Sequence, residues 1–435
     1  MKTVFCLLLL CATSAIAQQP LPDSLWPAIS TMSSTGGGRF EDMYFTSATS
    51  GFGIEYGGIF HTFTSNEIKK HQIYDSLHQP FSDTRCIGFL NQTKGWIGVL
   101  NIHHPLIVTE DGGNSWHDVD LPEPRPAGIC GLSIVNNNTM FGAGSFDIGL
   151  LDSMSRVAVV IRTTDAGKTF KCFDMSAYAK SLVDCYFTSS THGFVSGSVG
   201  GNDFRDGYGV ILETTDAGEH WKAVYTSPRK GEQGWKIYFR TPTEGYLALQ
   251  QQQKGEKYVA KTTDGGAAWS DMFLGYSPNV SYPEGVCFAD SNYGIAGGYQ
   301  DSVFLTSDGG HTWKSYYTKE FMGLNRCRKI NENIAYVISS GVHHFSAAAI
   351  SSVIHSNDQK QSLPYPNPAS DVILIPLPFD GRCTLTVLDS QGKIVLTTGA
   401  DRYLKVYTSS YPNGMYIARV KGHDGIQDLR FVISK

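Results

Sequence analysis

The chain has 435 residues, 41% hydrophobic and 12% aromatic, with 46 glycines, enough to bury cores in two domains and as rich in turns as an all-β protein should be. Its 35 basic and 40 acidic residues leave a net charge of −5 with no lysine–arginine run, which argues against nucleic acid as a partner. Past the first residues no stretch approaches the roughly 18 apolar residues of a membrane-spanning helix, so no transmembrane segment is expected.

The chain opens with Lys2, an apolar run from Val4 to Ala12 and the small-residue site Ala15-Ile16-Ala17. This is the pattern of a secretory signal peptide over 1–17, which implies export to the periplasm. A lipoprotein signal ending at Cys11 fits less well, because a bulky leucine precedes the cysteine. Within the following segment, 18–38, the stretch from Leu25 to Ser33 is available to supply an outer strand elsewhere in the fold.

Residues 39–354 are periodic. Five times a hydroxyl residue is followed by aspartate, glycine and an aromatic ring at fixed offsets: Thr109, Asp111, Gly113, Trp116; Thr163, Asp165, Gly167, Phe170; Thr214, Asp216, Gly218, Trp221; Thr262, Asp264, Gly266, Trp269; and Thr306, Asp308, Gly310, Trp313. The aspartate accepts hydrogen bonds from nearby backbone N–H groups and the glycine supplies positive φ, so each copy predicts a closed hairpin with a structural aspartate. Successive aspartates lie 54, 51, 48 and 44 residues apart, the size of a four-stranded blade. Before each copy comes an apolar strand, a polar turn, then glycine and a second apolar strand, as in Phe187 to Gly197. This half-phrase also occurs at Phe45 to Gly53 and Ile330 to Val337, which makes seven units. A closed ring of seven blades leaves no exposed sheet edge, and the predicted fold is therefore an all-β, seven-bladed β-propeller. Its last blade is short of one outer strand, the one that Leu25 to Ser33 could provide.

The repeated phrase is similar to the Asp-box, the bacterial neuraminidase repeat. The whole unit resembles the photosystem II stability and assembly factor family, which implies a seven-bladed scaffold that binds protein partners without catalysis. Sialidases share only the boxes. Their early Phe/Tyr-Arg-Ile-Pro phrase has its nearest counterpart in Phe239-Arg240-Thr241-Pro242, after the third box, so no catalytic residue is assigned.

Box hairpins and the loops between strands three and four define one face of such a ring, and insertions mark the other. Long segments from Ser145 to Arg156 and from Ser198 to Tyr208, with the connection between blades 4 and 5 carrying Arg229, Lys230 and Trp235, surround that second face. Arginines with nearby rings suit sugars or carboxylates, which makes Arg156, Phe204, Arg205, Tyr208, Arg229 and Trp235 the candidate ligand-binding residues. Asp147, Asp152, Asp203 and Asp206 are the carboxylates that a glycoside hydrolase, the competing function, could draw on. Seven cysteines follow the signal, so at least one stays unpaired. Cys86, Cys130, Cys185, Cys287 and Cys327 sit in first strands; Cys287 and Cys327 share a phase on adjacent blades and form the expected pair. No spacing suggests a metal site and no cofactor is implied.

A linker is expected over 355–363, where Ser356 to Ser362 carries no periodic apolar residue. The remainder, 364–435, alternates in short strands and predicts a small immunoglobulin-like β-sandwich. It resembles the C-terminal sorting domain of the type IX secretion system through Tyr365-Pro-Asn-Pro368, Asp389-Ser-Gln-Gly392-Lys393, Tyr411-Pro-Asn-Gly414 and Phe431-Val-Ile-Ser-Lys435. That resemblance implies the type IX machinery as a partner, and secretion or display at the cell surface. The function expected is a binding module for an extracellular protein or glycan, with an extracellular glycoside hydrolase or lyase as the alternative.

Overall fold

Each predicted hairpin closes through the same set of hydrogen bonds. The threonine hydroxyl donates to the aspartate at 2.8–2.9 Å in all five copies and accepts from the glycine N–H at 2.8–2.9 Å. The aspartate in turn accepts the backbone N–H four residues on, as in Asp216 with His220 at 2.9 Å. One further backbone N–H reaches the neighbouring turn of the same sheet: Gly112 donates to Thr93, Ala166 to Asn138, Ala217 to Thr191, Gly265 to Thr243 and Gly309 to Asn292, at 2.8–2.9 Å. The two turns of each sheet are thereby bolted together on one face.

The computed structural model describes residues 28–33, 39–47, 49–64, 68–74, 83–144, 158–201, 206–251, 255–277, 282–299, 302–317, 323–331, 334–339, 341–345, 364, 367–377, 382–400, 403–422 and 426–435. The expected signal peptide (1–17), the expected linker (355–363), the carboxylates Asp147, Asp152 and Asp203, and three candidate ligand residues, Arg156, Phe204 and Arg205, lie outside them. The chain divides into two units, one within Pro20–Ile354 and one that includes His355–Lys435.

In the first unit the described residues form seven four-stranded antiparallel sheets. Blades 1 to 6 span 40–72, 84–118, 131–174, 181–226, 232–277 and 282–317. Blade 7 takes its three inner strands from 326–345 and its outer strand, Ala28–Ser33, from the opposite end of the unit, paired with Gly341–Phe345. The inner strands are Phe40–Ser47, Thr84–Phe89, Gly131–Ile134, Ser181–Phe187, Glu232–Phe239, Tyr282–Phe288 and Arg326–Asn331. Each packs on the next, and that of blade 7 packs on that of blade 1, so the ring closes. The fold is a seven-bladed β-propeller. A disulfide between Cys287 and Cys327 joins the inner strands of blades 6 and 7, the pair expected from their shared phase. Cys86, Cys130 and Cys185 are free and buried.

The spacing of phenylalanine and glycine has a packing origin. A Cβ added to Gly193 would lie 2.3 Å from the Phe187 ring, so only glycine lets the ring lie flat across its strand partner. Such rings stack on the preceding blade: Phe89 on Phe52 at 3.7 Å, Phe187 on Phe141 at 3.5 Å and Phe288 on Tyr246 at 4.3 Å. The hairpin tryptophan then meets the same ring edge-on, at 82–89° for Trp116, Trp221, Trp269 and Trp313. Phrase and box therefore meet in one aromatic joint in each of blades 2, 4, 5 and 6, between sheets that are neighbours in sequence.

Hydrogen bonds, side chain and backbone together, hold the hairpin carboxyls low: Ser115 brings Asp111 down to about 2, and His220 brings Asp216 down to about 2. A carboxyl whose folded value lies below its unfolded one adds stability that is present above about pH 4 and is lost as pH falls toward 2. The propeller transition should thus weaken steeply between pH 4 and 2. Asp216→Asn should flatten that slope in proton uptake on unfolding, measured by acid titration calorimetry; an unchanged slope would remove the hairpin carboxylate as its source.

The second unit has two layers. One sheet orders its strands Ile394–Ala400, Cys383–Leu388, Gly414–Lys421 and Ile426–Ile433; the other pairs Val372–Pro376 with Tyr403–Tyr407. Burial alternates along Cys383–Leu388, Gly414–Lys421 and Ile426–Ile433, which turns Leu385, Val387, Ala418, Val420, Leu429 and Phe431 inward onto Ile373, Ile375 and Val406. This is the small β-sandwich anticipated from the strand pattern.

Candidate ligand-binding face

The face opposite the box hairpins carries the loops between second and third strands and the connections between blades. Four large apolar side chains are exposed among the described propeller residues: Tyr56 (52%), Tyr74 (51%), Ile102 (41%) and Tyr208 (36%). All four belong to this face. Tyr56 and Ile102 lie in loops between second and third strands, Tyr74 follows an outer strand, and Tyr208 begins the third strand of blade 4. Asp83, followed by burial, raises the Tyr56 hydroxyl pKa, which ties this ring to the channel mouth between blades 1 and 2.

Beneath the face, the inner strands break register at one recurring place. Shifts enclose Glu41 in blade 1, Arg85 in blade 2, Val183 in blade 4, Trp235 and Lys236 in blade 5, and Glu284 in blade 6. A bulge leaves its extra residue unpaired and re-aims the side chain, here toward the ring axis. One charged cluster joins blades 6, 1 and 2: Arg39 bonds Glu41 at 2.9 Å and Glu284, Arg85 bonds Glu41 at 2.9 Å, and Gln250 of blade 5 donates to Glu284 at 3.0 Å. Burial opposes ionisation of Glu41, but Arg85 and Arg39 outweigh it and hold its pKa low. Blades 3 to 5 contribute an apolar arc of Cys130, Val183, Trp235 and Ala248, with Leu100 of blade 2 against it.

Long side chains cross the ring. Arg326 of blade 7 forks onto Asp184 of blade 4 at 3.1 and 3.2 Å. Its Nε lies 3.1 Å from Asp42 of blade 1 but off the hydrogen-bonding direction. Arg328 grips Asp42 at 2.6 and 2.7 Å. Both aspartates also accept backbone N–H groups, Asp42 from Met43 and Ile87, Asp184 from Ile237. From blade 5, Lys236 reaches the Cys130 carbonyl of blade 3 at 3.1 Å. Side chains thus span the ring from blade to blade, and the accessible aromatic surface lies on the rim above.

The structure separates the candidate ligand residues that it describes. Tyr208 is on the rim. Arg229 is engaged within the fold: it bonds Glu232 at 2.6 Å and Asp271 at 2.5 Å, and its guanidinium lies 3.7 Å over the Tyr258 ring. Trp235 is not in the inter-blade connection, where the sequence reading had grouped it. The inner strand of blade 5 begins at Glu232, so Trp235 falls inside it, buried. The channel charges went unrecognised in the sequence, although a signal exists. Counting back four from Phe45, Phe89, Phe187, Phe239, Phe288 and Ile330 gives Glu41, Arg85, Val183, Trp235, Glu284 and Arg326, a set with charge in four inner strands.

Residues 364–434 match the family model described as the secretion system C-terminal sorting domain. The C-terminal β-sandwich is a type IX sorting domain. With it the chain carries the address for secretion or cell-surface export, and no helix among the described residues is long and apolar enough to cross a membrane. No curated protein matches the chain. Among solved structures it is similar to YCF48 bound to a D1 peptide, with TM-score 0.53 and 14% identity over 76% of this chain and 100% of that one. It is also similar to the extracellular domain of a putative one-component system from B. thetaiotaomicron, with TM-score 0.52, 9% identity, 94% of this chain and 59% of that one. A GH74 xyloglucanase from Xanthomonas campestris gives TM-score 0.50 and 10% identity over 82% of this chain and 58% of its own. At these identities the likeness is one of fold.

Proposed function

We propose that the propeller is the cargo of the sorting domain, a secreted or surface-attached binding module that takes an extracellular protein or glycan on its loop-bearing rim. The observation that carries this reading is the one-sided placement of Tyr56, Tyr74, Ile102 and Tyr208. Tyrosine supplies a large rigid ring with a polar tip, suited to anchoring a protein interface or stacking on a sugar face. The cross-channel pairs support the same reading, because they stiffen the platform under the rim. The D1 peptide held by YCF48 supports a polypeptide ligand in particular.

The test is a peptide array and a glycan array probed with the mature protein, followed by a fluorogenic-glycoside screen. On the best array hit, Tyr56→Ala with Tyr74→Ala should weaken binding at least about tenfold, the loss of one to two hot-spot anchors. Unchanged affinity would move the site elsewhere, and turnover of any glycoside would replace the binding reading with the hydrolase.

A further inference from the structure

Among the described residues the channel's ion pairs join Arg39, Arg85, Arg326 and Arg328 to Glu41, Asp42, Asp184 and Glu284, and buried Lys236 stands beside them. Each arginine has a carboxylate at salt-bridge distance. Lys236 has none among the described residues, and its buried ammonium donates to the Cys130 carbonyl at 3.1 Å. An ammonium has three donors, so its valence here is mostly unfilled. Burial, and then Arg326, pull its pKa down and outweigh the nearby Asp184 carboxylate, which raises it.

Trp235 shares the bulge with Lys236 and has a second unfilled donor. It is 9% exposed, and its indole Nε1 is buried with no acceptor among the described residues. Both residues reach the same neighbour: the Trp235 ring packs in one cluster with Cys130, and Lys236 bonds the Cys130 carbonyl. The Arg85 guanidinium acts electrostatically on both Lys236 and Cys130. Two donors of one bulge therefore lie beside Cys130, where the Asp184 carboxylate that also acts on both Lys236 and Cys130 is already held by Arg326.

We propose that a small monovalent anion, a halide or short carboxylate, binds between Lys236 Nζ and Trp235 Nε1 beside Cys130. It supplies the acceptor that neither donor finds in a carboxylate of the described residues. Val183, Ala248 and Leu100 wall the site with apolar surface, which favours a small ion of low charge, since the cost of desolvating an ion rises steeply with charge.

The experiment is thermal unfolding of the purified mature chain, followed by tryptophan fluorescence, with chloride or formate exchanged for gluconate at constant ionic strength. The midpoint should rise saturably with chloride or formate, as mass action on a folded-state site requires. Lys236→Met should abolish the response, while Lys230→Met, on the surface, should keep it. Trp235→Phe retains a ring and loses the N–H, and should weaken apparent affinity by about tenfold or more. A response in Lys236→Met equal to that of the wild type, or no saturable response in the wild type, overturns the proposal. Should Lys236→Met fail to fold, a bromide-soaked crystal of the wild type decides: an anomalous peak within hydrogen-bonding reach of Lys236 Nζ supports the site, and its absence overturns it.

Discussion

Replacing Arg326 by methionine should cost about 3–5 kcal/mol of propeller stability, the loss found when one partner of a buried ion pair is removed. Asp184 is 0% exposed and Arg326 is 4% exposed, so the mutation strands a carboxylate out of reach of water. Arg328 still covers Asp42, whereas among the described residues Asp184 keeps only the hydrogen bond from the Ile237 N–H. Adding Asp184→Asn to the arginine variant should therefore recover part of the loss, a non-additivity expected only of groups in direct contact. All seven tryptophans lie before residue 355, so tryptophan fluorescence during guanidinium unfolding reports on the propeller alone. A loss below about 1 kcal/mol would place the pair in the class of solvated surface bridges and sink the strut interpretation.

Gly266→Ala should be a severe methyl addition in a box hairpin, at about 2–4 kcal/mol from overpacking together with left-handed strain. The backbone there has φ +96°, and the new Cβ would stand 2.3 Å from Cζ of Phe194 in the preceding blade. Phe194 is fully buried, stacked on Phe239 at 5.5 Å and edge-on to Trp269, so it has no direction in which to yield. Gly57 separates the two contributions: φ is +92° but nothing lies within 4 Å of an added Cβ. Gly57→Ala should cost only the strain, about 1–2 kcal/mol. Equal losses at the two glycines, measured by the same unfolding curves, would show that the contact between blades carries no weight.

The blade count was legible in the sequence because its determinants are local. A threonine, an aspartate and a glycine within five residues close a hairpin without help from the rest of the chain, and Thr262, Asp264 and Gly266 do so as Thr109, Asp111 and Gly113 do. The alternation of the sorting domain is local in the same sense. The candidate site was read less well. Tyr208 was placed on the loop-bearing face from its loop, where it stands exposed, but Trp235 was grouped with the connection because the strand boundary at Glu232 carries no turn residue beyond Gly231. Tyr56 and Tyr74 were passed over, since an isolated tyrosine beside a turn looks the same in sequence whether its ring packs inward or stands in solvent.

Sequence alone therefore determined a ring of hairpin-closed sheets followed by a sorting domain, because those elements are specified by residues a few places apart. Which charges face one another was settled only by closure of that ring. Arg326 meets Asp184 across 142 residues and Arg328 meets Asp42 across 286, and no local pattern distinguishes these arginines from solvated ones. The bulges that re-aim Glu41, Arg85 and Glu284, and the clustering of exposed rings on a single face, are consequences of seven strands sharing one axis, where each side chain's surroundings come from blades distant in the chain.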